Sequence, residues 1–234
     1  MIVRSVPGGL QLITQPDHAH LARRIMERCA SLAALPRREA ILVAVGEHDA
    51  AWDETDAAPA IDAATGAVVD FVKAPLSVRQ GVWPRSVARP EREPWAAALV
   101  AHHAWTVYAR FRPDPDWASF FPAMAATRDA RLHASGLTLA ELEADYPFLR
   151  LGDLVSLTFC TGSTDEQKYG EWTIQLSGSR VVVTPDPFDG AIVPIEIEAR
   201  DVRSGPFRSS AEWQTAWSAA RATTRRGEVA GTRS

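Results

Sequence analysis

Cysteine is scarce in this chain of 234 residues, which has only Cys29 and Cys160. Two cysteines are too few for the disulfide framework of a small secreted protein. Both lie in apolar segments with helical periodicity, where a thiol behaves as a small hydrophobic side chain. We therefore expect free, buried thiols in a reducing compartment.

A strong positive charge is also missing. The net charge is −4, the lysines are Lys73 and Lys168 alone, and the basic residues form no cluster longer than a pair such as Arg225-Arg226. Nucleic-acid binding requires a basic surface that neutralises phosphates. We expect no nucleic-acid partner and a small-molecule substrate instead.

Long apolar runs are absent too. No stretch approaches the ~20 apolar residues that span a bilayer, and the first residues lack the apolar segment of a signal peptide. We therefore expect a cytoplasmic protein without a membrane partner. The hydrophobic content of 46% suffices for a core of ordinary size. The prediction is a single domain over residues 1–222, followed by a flexible tail at 223–234.

The first two thirds of the chain are predicted to be mainly helical. Residues 2–14 resemble one or two short strands with a turn at Gly8-Gly9. Residues 10–162 are predicted to contain the helical core, with an irregular stretch at 53–92. Helix starts are indicated at Pro16, Pro36, Pro94, Pro115 and Thr138. Thr138 and Glu141 form a capping-box pattern, and Pro147 is predicted to break the helix that follows.

The pattern changes after Gly162. Apolar residues alternate with polar ones around Trp172, Ile174 and Leu176, and again around Ile195 and Ile197. A period of two is typical of strands. Residues 163–205 are therefore predicted to form an antiparallel β-meander packed on the helical core. A homodimer is one way to cover the open edge of such a meander.

Histidine and aspartate residues are spaced over separate predicted helices. His18 shares a helical face with Ala22 and Ile25, and His48-Asp49 follows three apolar turns. An acid in that position needs a partner, because an unpaired buried carboxylate is costly. The alternatives to a metal are a helix-end cap and an arginine.

Asp153 is the strongest single indication of a buried site, because it interrupts the apolar segment Leu149 to Cys160. Its partner is expected to be a metal ion or Arg150. His103 lies on the apolar side of another predicted helix, and Asp53 adds an acid close to His48-Asp49. The order of His, His-Asp, an extra His and a distant Asp suits one metal inside a helical bundle.

The predicted metal ligands are His18, His48, Asp49 and Asp153. Two imidazoles and two carboxylates suit a divalent transition metal such as Mn, Fe, Co, Ni or Zn. Such an ion lowers the pKa of a bound water, which becomes the nucleophile. Asp53 and His103 are predicted to act as acid or base, or to help hold a second ion.

Several motifs resemble a family of uncharacterised bacterial proteins, domain of unknown function 3891. They are Leu12 to Ala19, His48 to Asp53, the loop from Pro59 to Phe71, Asp153 to Leu157, and Pro187-Phe188. The similarity covers nearly the whole chain. It implies no established activity.

A more distant resemblance is to the HD superfamily of metal-dependent phosphohydrolases, whose ligand pattern corresponds to His18, His48, Asp49 and Asp153. This resemblance implies a mainly α fold, namely an HD-like helical bundle. With the C-terminal antiparallel β-meander added, the whole domain is expected to be α+β. The resemblance also implies phosphoester hydrolysis. The phosphate-binding residue of such enzymes is not evident here, and Arg38 and Lys73 are weak candidates.

Three hypotheses follow. The first is a metal-dependent hydrolase of HD type that acts on a small phosphorylated or nucleotide-like substrate. The second is a non-haem iron oxygenase on the same scaffold, with His103 as an added ligand. The third is a non-enzymatic small-ligand-binding module, in which the acids and histidines are ordinary buried pairs and Trp52 and Trp83 line a cleft.

Overall fold

A computed structural model describes residues 1–232, in which helices and strands are interspersed along the chain. The α-helices in this range are α1 (Gln15–Met26), α2 (Ala30–Ala33), α3 (Arg38–Glu47), α4 (Asp53–Ala57), α5 (Leu76–Ala88), α6 (Pro94–Val107), α7 (Phe120–Ser135), α8 (Leu139–Thr161) and α9 (Ser210–Ser218). The strands are β1 (Ile2–Val6), β2 (Gly9–Ile13), β3 (Gln167–Tyr169), β4 (Trp172–Ser177), β5 (Arg180–Thr184), β6 (Ile192–Val202) and β7 (Arg221–Gly231).

All seven strands form one mixed sheet in the order β1-β2-β6-β7-β5-β4-β3. The N-terminal hairpin joins it through β2 and β6, with Leu10 opposite Val202. Neighbouring strands are antiparallel except β5 and β7, which are parallel. The predicted helical bundle with a separate C-terminal antiparallel meander is therefore wrong. Its strands belong to a larger sheet that draws on both ends of the chain.

The predicted flexible tail at 223–234 is also wrong over most of its length. Residues 221–231 form β7, which lies between β6 and β5 in the sheet. Its sequence shows little alternation, and only Val229 and Ala230 are fully buried. The strand is held by backbone pairing to two neighbours, which a polar composition does not reveal. Residues 233–234 lie outside the described part.

The predicted helix starts at Pro16, Pro36, Pro94 and Thr138 lie within two residues of the starts of α1, α3, α6 and α8, whereas Pro115 opens a short 3-10 turn and α7 begins only at Phe120. The capping box of α8 is confirmed, since Thr138 and Glu141 each bind the other's backbone N–H. Pro147 does not break this helix, which continues to Thr161. A proline inside a helix leaves the carbonyl four residues earlier without its partner. Here that residue is Glu143, which is exposed, so water can bind its carbonyl.

The core of the molecule lies where α1, α3, α6 and α8 pack together, with the sheet covering α1 and α8. The helices pack closely at Gly152 of α8, whose Cα faces Met26 of α1 and Val45 of α3. His18, His103 and Asp153 lie on these helices, and His48-Asp49 directly follows α3. Among residues 1–232, none of the helices combines the length and apolar character needed to cross a bilayer.

Candidate metal centre

Five buried side chains from different elements meet at the centre of the helices. His18 lies on α1, His48 and Asp49 follow α3 directly, His103 lies on α6 and Asp153 on α8. We name these five residues the His/Asp cluster. Each was singled out from the sequence, and each faces inward because it shares a helical face with apolar neighbours.

The ligand-type atoms of the cluster lie close together. Nε2 of His18 is 3.0 Å from Oδ2 of Asp49. Nε2 of His48 is 3.6 Å from Oδ2 of Asp49 and 3.6 Å from Oδ1 of Asp153. Nε2 of His103 is 3.6 Å from Oδ2 of Asp153. Two overlapping triads, His18-His48-Asp49 and His48-His103-Asp153, could each hold a metal ion, with ligand atoms within 4.8 Å of one another.

Both ring nitrogens of His18 have hydrogen-bond partners. Nε2 is 3.0 Å from Oδ2 of Asp49, and since a carboxylate can only accept, Nε2 is the donor in the metal-free protein. Nδ1 is 2.8 Å from the hydroxyl of Ser156, which also lies 3.0 Å from the backbone carbonyl of Asp153. With a metal ion in place of the Nε2 proton, the Ser156 oxygen would accept from Nδ1 and orient the ring.

The ring of His48 carries its proton on Nδ1. Its Nδ1 lies 2.8 Å from the carbonyl of Val45, which can only accept a hydrogen bond. Nε2 of the neutral ring is then unprotonated. This buried atom has no hydrogen-bond partner among the described residues, since both nearby carboxylates are just beyond hydrogen-bond distance.

The unprotonated Nε2 of His48 and the carboxylates of Asp49 and Asp153 thus face one another in a buried space, and this arrangement requires a cation. In the metal-free protein a proton on His48 can serve. Burial lowers the pKa of His48, but Asp49 and Asp153 outweigh it and raise this pKa to about 9. Burial also opposes ionisation of Asp153, yet His48 and Arg150 hold its pKa well below the usual value. The donor set therefore fits a metal ion.

The imidazole of His103 lies beside these ligand atoms and is uncharged. Burial lowers the pKa of His103 to about 3. Its Nδ1 is 3.1 Å from the Tyr146 hydroxyl, while Nε2 faces Asp153. An uncharged imidazole in this position can act as a ligand or exchange a proton with a bound molecule.

Asp53 is not brought to the cluster. It opens α4 with its side chain half-exposed and forms an ion pair with Arg89. The preceding residue, Trp52, fills the inward position and is buried. The proximity of Asp53 to His48-Asp49 in the sequence therefore does not become proximity in space, and the structure gives no support to a role in proton transfer.

A pocket of about 180 Å³ reaches Asp49, His103 and Asp153, and we name it the cluster pocket. Its other lining side chains are mostly aromatic or basic: Trp52, Phe71, Trp83, Tyr108, Arg79, Arg110 and Arg150. Three larger grooves run along β6 and β7 but contain no residue of the His/Asp cluster. Among these pockets of residues 1–232, the cluster pocket therefore combines space for a ligand with candidate chemistry.

Sequence reasoning missed Arg79 and Arg110 of this pocket. Nothing in their local sequence distinguishes them from the many other arginines of the chain. The weak candidates named from the sequence do not line it: Arg38 pairs with the adjacent Glu39 on the surface, and Lys73 is exposed. Trp52 and Trp83 were expected to line a cleft, and they do.

The link between Ser156 and His18 gives a testable prediction. The variant Ser156→Ala removes the acceptor that orients His18, so we expect metal affinity to fall about 10- to 100-fold. Isothermal titration with Mn²⁺ or Zn²⁺ measures this. Ser135→Ala is the matched control, because Ser135 also donates to a carbonyl three residues earlier but contacts no histidine. Equal affinities in the two variants would contradict the assigned role.

Comparison with known proteins identifies the family. The chain matches the family described as "Protein of unknown function (DUF3891)" over residues 1–204. No curated protein and no solved structure matches the chain. The resemblance to HD phosphohydrolases therefore has no support from these comparisons and stays a hypothesis. Since the match covers most of its length, the chain belongs to the DUF3891 family.

Proposed function

We propose that this protein is a metal-dependent hydrolase of small phosphorylated or nucleotide-like molecules. The observation that carries the proposal is the convergence of Nε2 of His18 and Nε2 of His48 on Asp49 and Asp153, where Nε2 of His48 has no hydrogen-bond partner among the described residues. His18, His48, Asp49 and Asp153 would hold the ion. The mixed nitrogen and oxygen set suits Mn, Fe, Co, Ni or Zn.

A bound ion of this kind would lower the pKa of a water molecule and polarise a substrate oxygen. The protein's own side chains would do the rest. The aromatic walls of the cluster pocket would shield part of a bound substrate from bulk water, and its arginines would attract an anionic group. Because burial lowers the pKa of His103, its imidazole is uncharged, and its Nε2 beside Asp153 would be a further ligand or a hydrogen-bond partner for a bound molecule.

The choice of a phosphorylated substrate rests on the pocket. Guanidinium groups bind phosphate oxygens in pairs and are the preferred side chains for this purpose. Arg79, Arg110 and Arg150 line the same pocket as Asp153. A phosphoester held by one or more of these arginines would have its phosphorus close to the proposed ion.

A second candidate function is supported by one specific observation. The triad His48-His103-Asp153 offers two imidazoles and one carboxylate, the ligand set typical of non-haem iron oxygenases. Iron in the purified protein, together with substrate-dependent oxygen uptake, would favour this function over hydrolysis.

The test begins with protein purified without chelator or histidine tag. We expect a transition metal in stoichiometric amount by elemental analysis. We also expect phosphate release from a panel of small phosphoesters that stops after chelation and returns with added Mn²⁺ or Zn²⁺. Absence of metal, together with a protein indifferent to chelators, would contradict the proposal and favour the non-enzymatic binding module.

A further inference from the structure

Buried polar atoms without partners are concentrated at the cluster pocket. Within residues 1–232, six residues have such side-chain atoms: Gln15, His48, Arg79, Trp83, His102 and Arg225. Gln15, Arg79 and Trp83 line the pocket, and His48 belongs to the adjacent cluster. Buried polar groups of folded proteins are nearly always hydrogen-bonded. Their concentration in one pocket indicates a ligand that supplies the missing partners.

Arg79 is the strongest of these features. Its guanidinium group lies 5.5 Å from the ring centroids of Phe111 and Trp117, and its Nε is buried. No carboxylate of residues 1–232 pairs with it. The other pocket arginines differ, because Arg150 is already paired with Asp153 and Arg110 is exposed. A partly buried cation beside aromatic rings, with no counter-ion from the protein, is suited to bind an anion.

Trp83 adds a second donor to the same pocket. Its Nε1 approaches the Tyr108 hydroxyl without meeting hydrogen-bond geometry, so this N–H has no partner in the described residues. An indole nitrogen can only donate. Arg79 and Trp83 therefore both require an acceptor, which the oxygens of a phosphate group supply.

Gln15 has the opposite requirement. Its Oε1 is buried and has no partner, and this oxygen can only accept a hydrogen bond. The residue is held in place because its backbone N–H donates to Asp56 Oδ2 at 2.6 Å. The side chain lies on the same pocket wall as Asp49. A hydroxyl or amine group on the ligand would satisfy this oxygen.

We propose that the cluster pocket recognises a small phosphoester that also carries a hydroxyl or amine donor. Arg79 and Trp83 bind the phosphate oxygens, Arg110 attracts the anion at the surface, and Gln15 accepts from the donor group. A volume of about 180 Å³ is below the ~300 Å³ at which pockets for drug-sized ligands begin. The ligand is therefore small, or enters only with its phosphate end. This inference rests on the proposed function for the reaction, but its binding step is tested separately.

The first experiment measures the binding of inorganic phosphate to the protein as purified, by isothermal titration. We expect Arg79→Gln to weaken binding about 10- to 100-fold and Arg110→Gln to weaken it about threefold. The control is Arg89→Gln, an exposed arginine after the end of α5 that pairs with Asp53 outside the pocket. Equal phosphate affinity in wild type and both pocket variants would overturn the proposal. Arg110 is exposed, so its variant keeps the test valid if Arg79→Gln does not fold.

The second experiment tests Gln15 with two ligands that differ by one hydroxyl, 2-hydroxyethyl phosphate and ethyl phosphate. We expect wild type to bind the hydroxylated ligand about tenfold more tightly, because the other leaves Gln15 Oε1 unpaired. Gln15→Leu, which has a similar volume, should bind both equally. Equal binding by wild type would overturn the donor requirement.

Metal content, measured on the same samples, separates the two proposals. A stoichiometric metal with phosphate affinity insensitive to Arg79 contradicts the pocket assignment and leaves the hydrolase proposal standing. Arginine-dependent phosphate binding in a protein that takes up no metal supports the pocket assignment and contradicts the hydrolase.

Discussion

Asp153→Asn is expected to abolish stoichiometric metal binding and, with it, hydrolysis. The two carboxylate oxygens of Asp153 face different imidazoles, Oδ1 towards His48 and Oδ2 towards His103, each at 3.6 Å. Asparagine keeps the shape of the side chain but removes its charge. Since loss of outer partners alone costs 10- to 100-fold in metal affinity, we expect loss of this ligand to exceed about 100-fold.

The matched control for this prediction is Asp53→Asn. Asp53 was also singled out from the sequence, but it is half-exposed and pairs with Arg89 outside the cluster. We expect this variant to keep its metal and at least half of its activity. Elemental analysis, Mn²⁺ titration and circular dichroism should be measured on both variants. Full metal content in a folded Asp153→Asn protein would refute the assigned ligand set.

Gly152→Val is expected to destabilise the protein by about 3 kcal/mol. A Cβ on this residue would lie 2.7 Å from Cγ of Met26 and 3.2 Å from Cγ1 of Val45. These contacts come from α1 and α3, which carry or precede His18 and His48. A branched side chain must therefore push the helices apart next to Asp153, so we also expect weaker metal binding in the folded fraction.

Urea denaturation of the metal-free protein measures this effect through the transition midpoint. Gly81→Ala is the control, because Gly81 is also helical but a Cβ there would only touch Nη1 of Arg85, at 3.6 Å. Higher helix propensity should make this variant neutral or more stable by up to about 1 kcal/mol. Similar losses in both variants would show that close helix packing at Gly152 is not the cause.

The residues of the candidate site were largely predictable from the sequence, because helical periodicity is a local property. His18, His103 and Asp153 each share a face with apolar side chains, so their inward direction follows from residues within two turns. Local signals also predicted the capping box at Thr138 and short strand structure with a turn at Gly8-Gly9 before α1. These features depend on short stretches of chain, so no knowledge of distant contacts is needed.

The overall fold was not predictable in this way, because pairing between distant strands leaves little local trace. Nothing in the segment around Arg225 indicates that β7 inserts between β6 and β5, since its backbone pairing is independent of hydrophobic alternation. The expected bundle with a meander failed for this reason. The helical bundle was implied by resemblance, and resemblance in ligand order does not determine the arrangement of strands.

The sequence by itself thus determined that His18, His103 and Asp153 would face inward, because burial of a helical face is set by neighbours three and four residues away. It did not indicate that Asp56 and Asp145 are buried as well. Only the tertiary structure decided that Asp53 faces solvent and that Arg79 and Gln15 meet at the pocket beside Asp153. These positions depend on how separate helices pack against one another. That packing arises from contacts between residues far apart in the chain, which no short sequence pattern records.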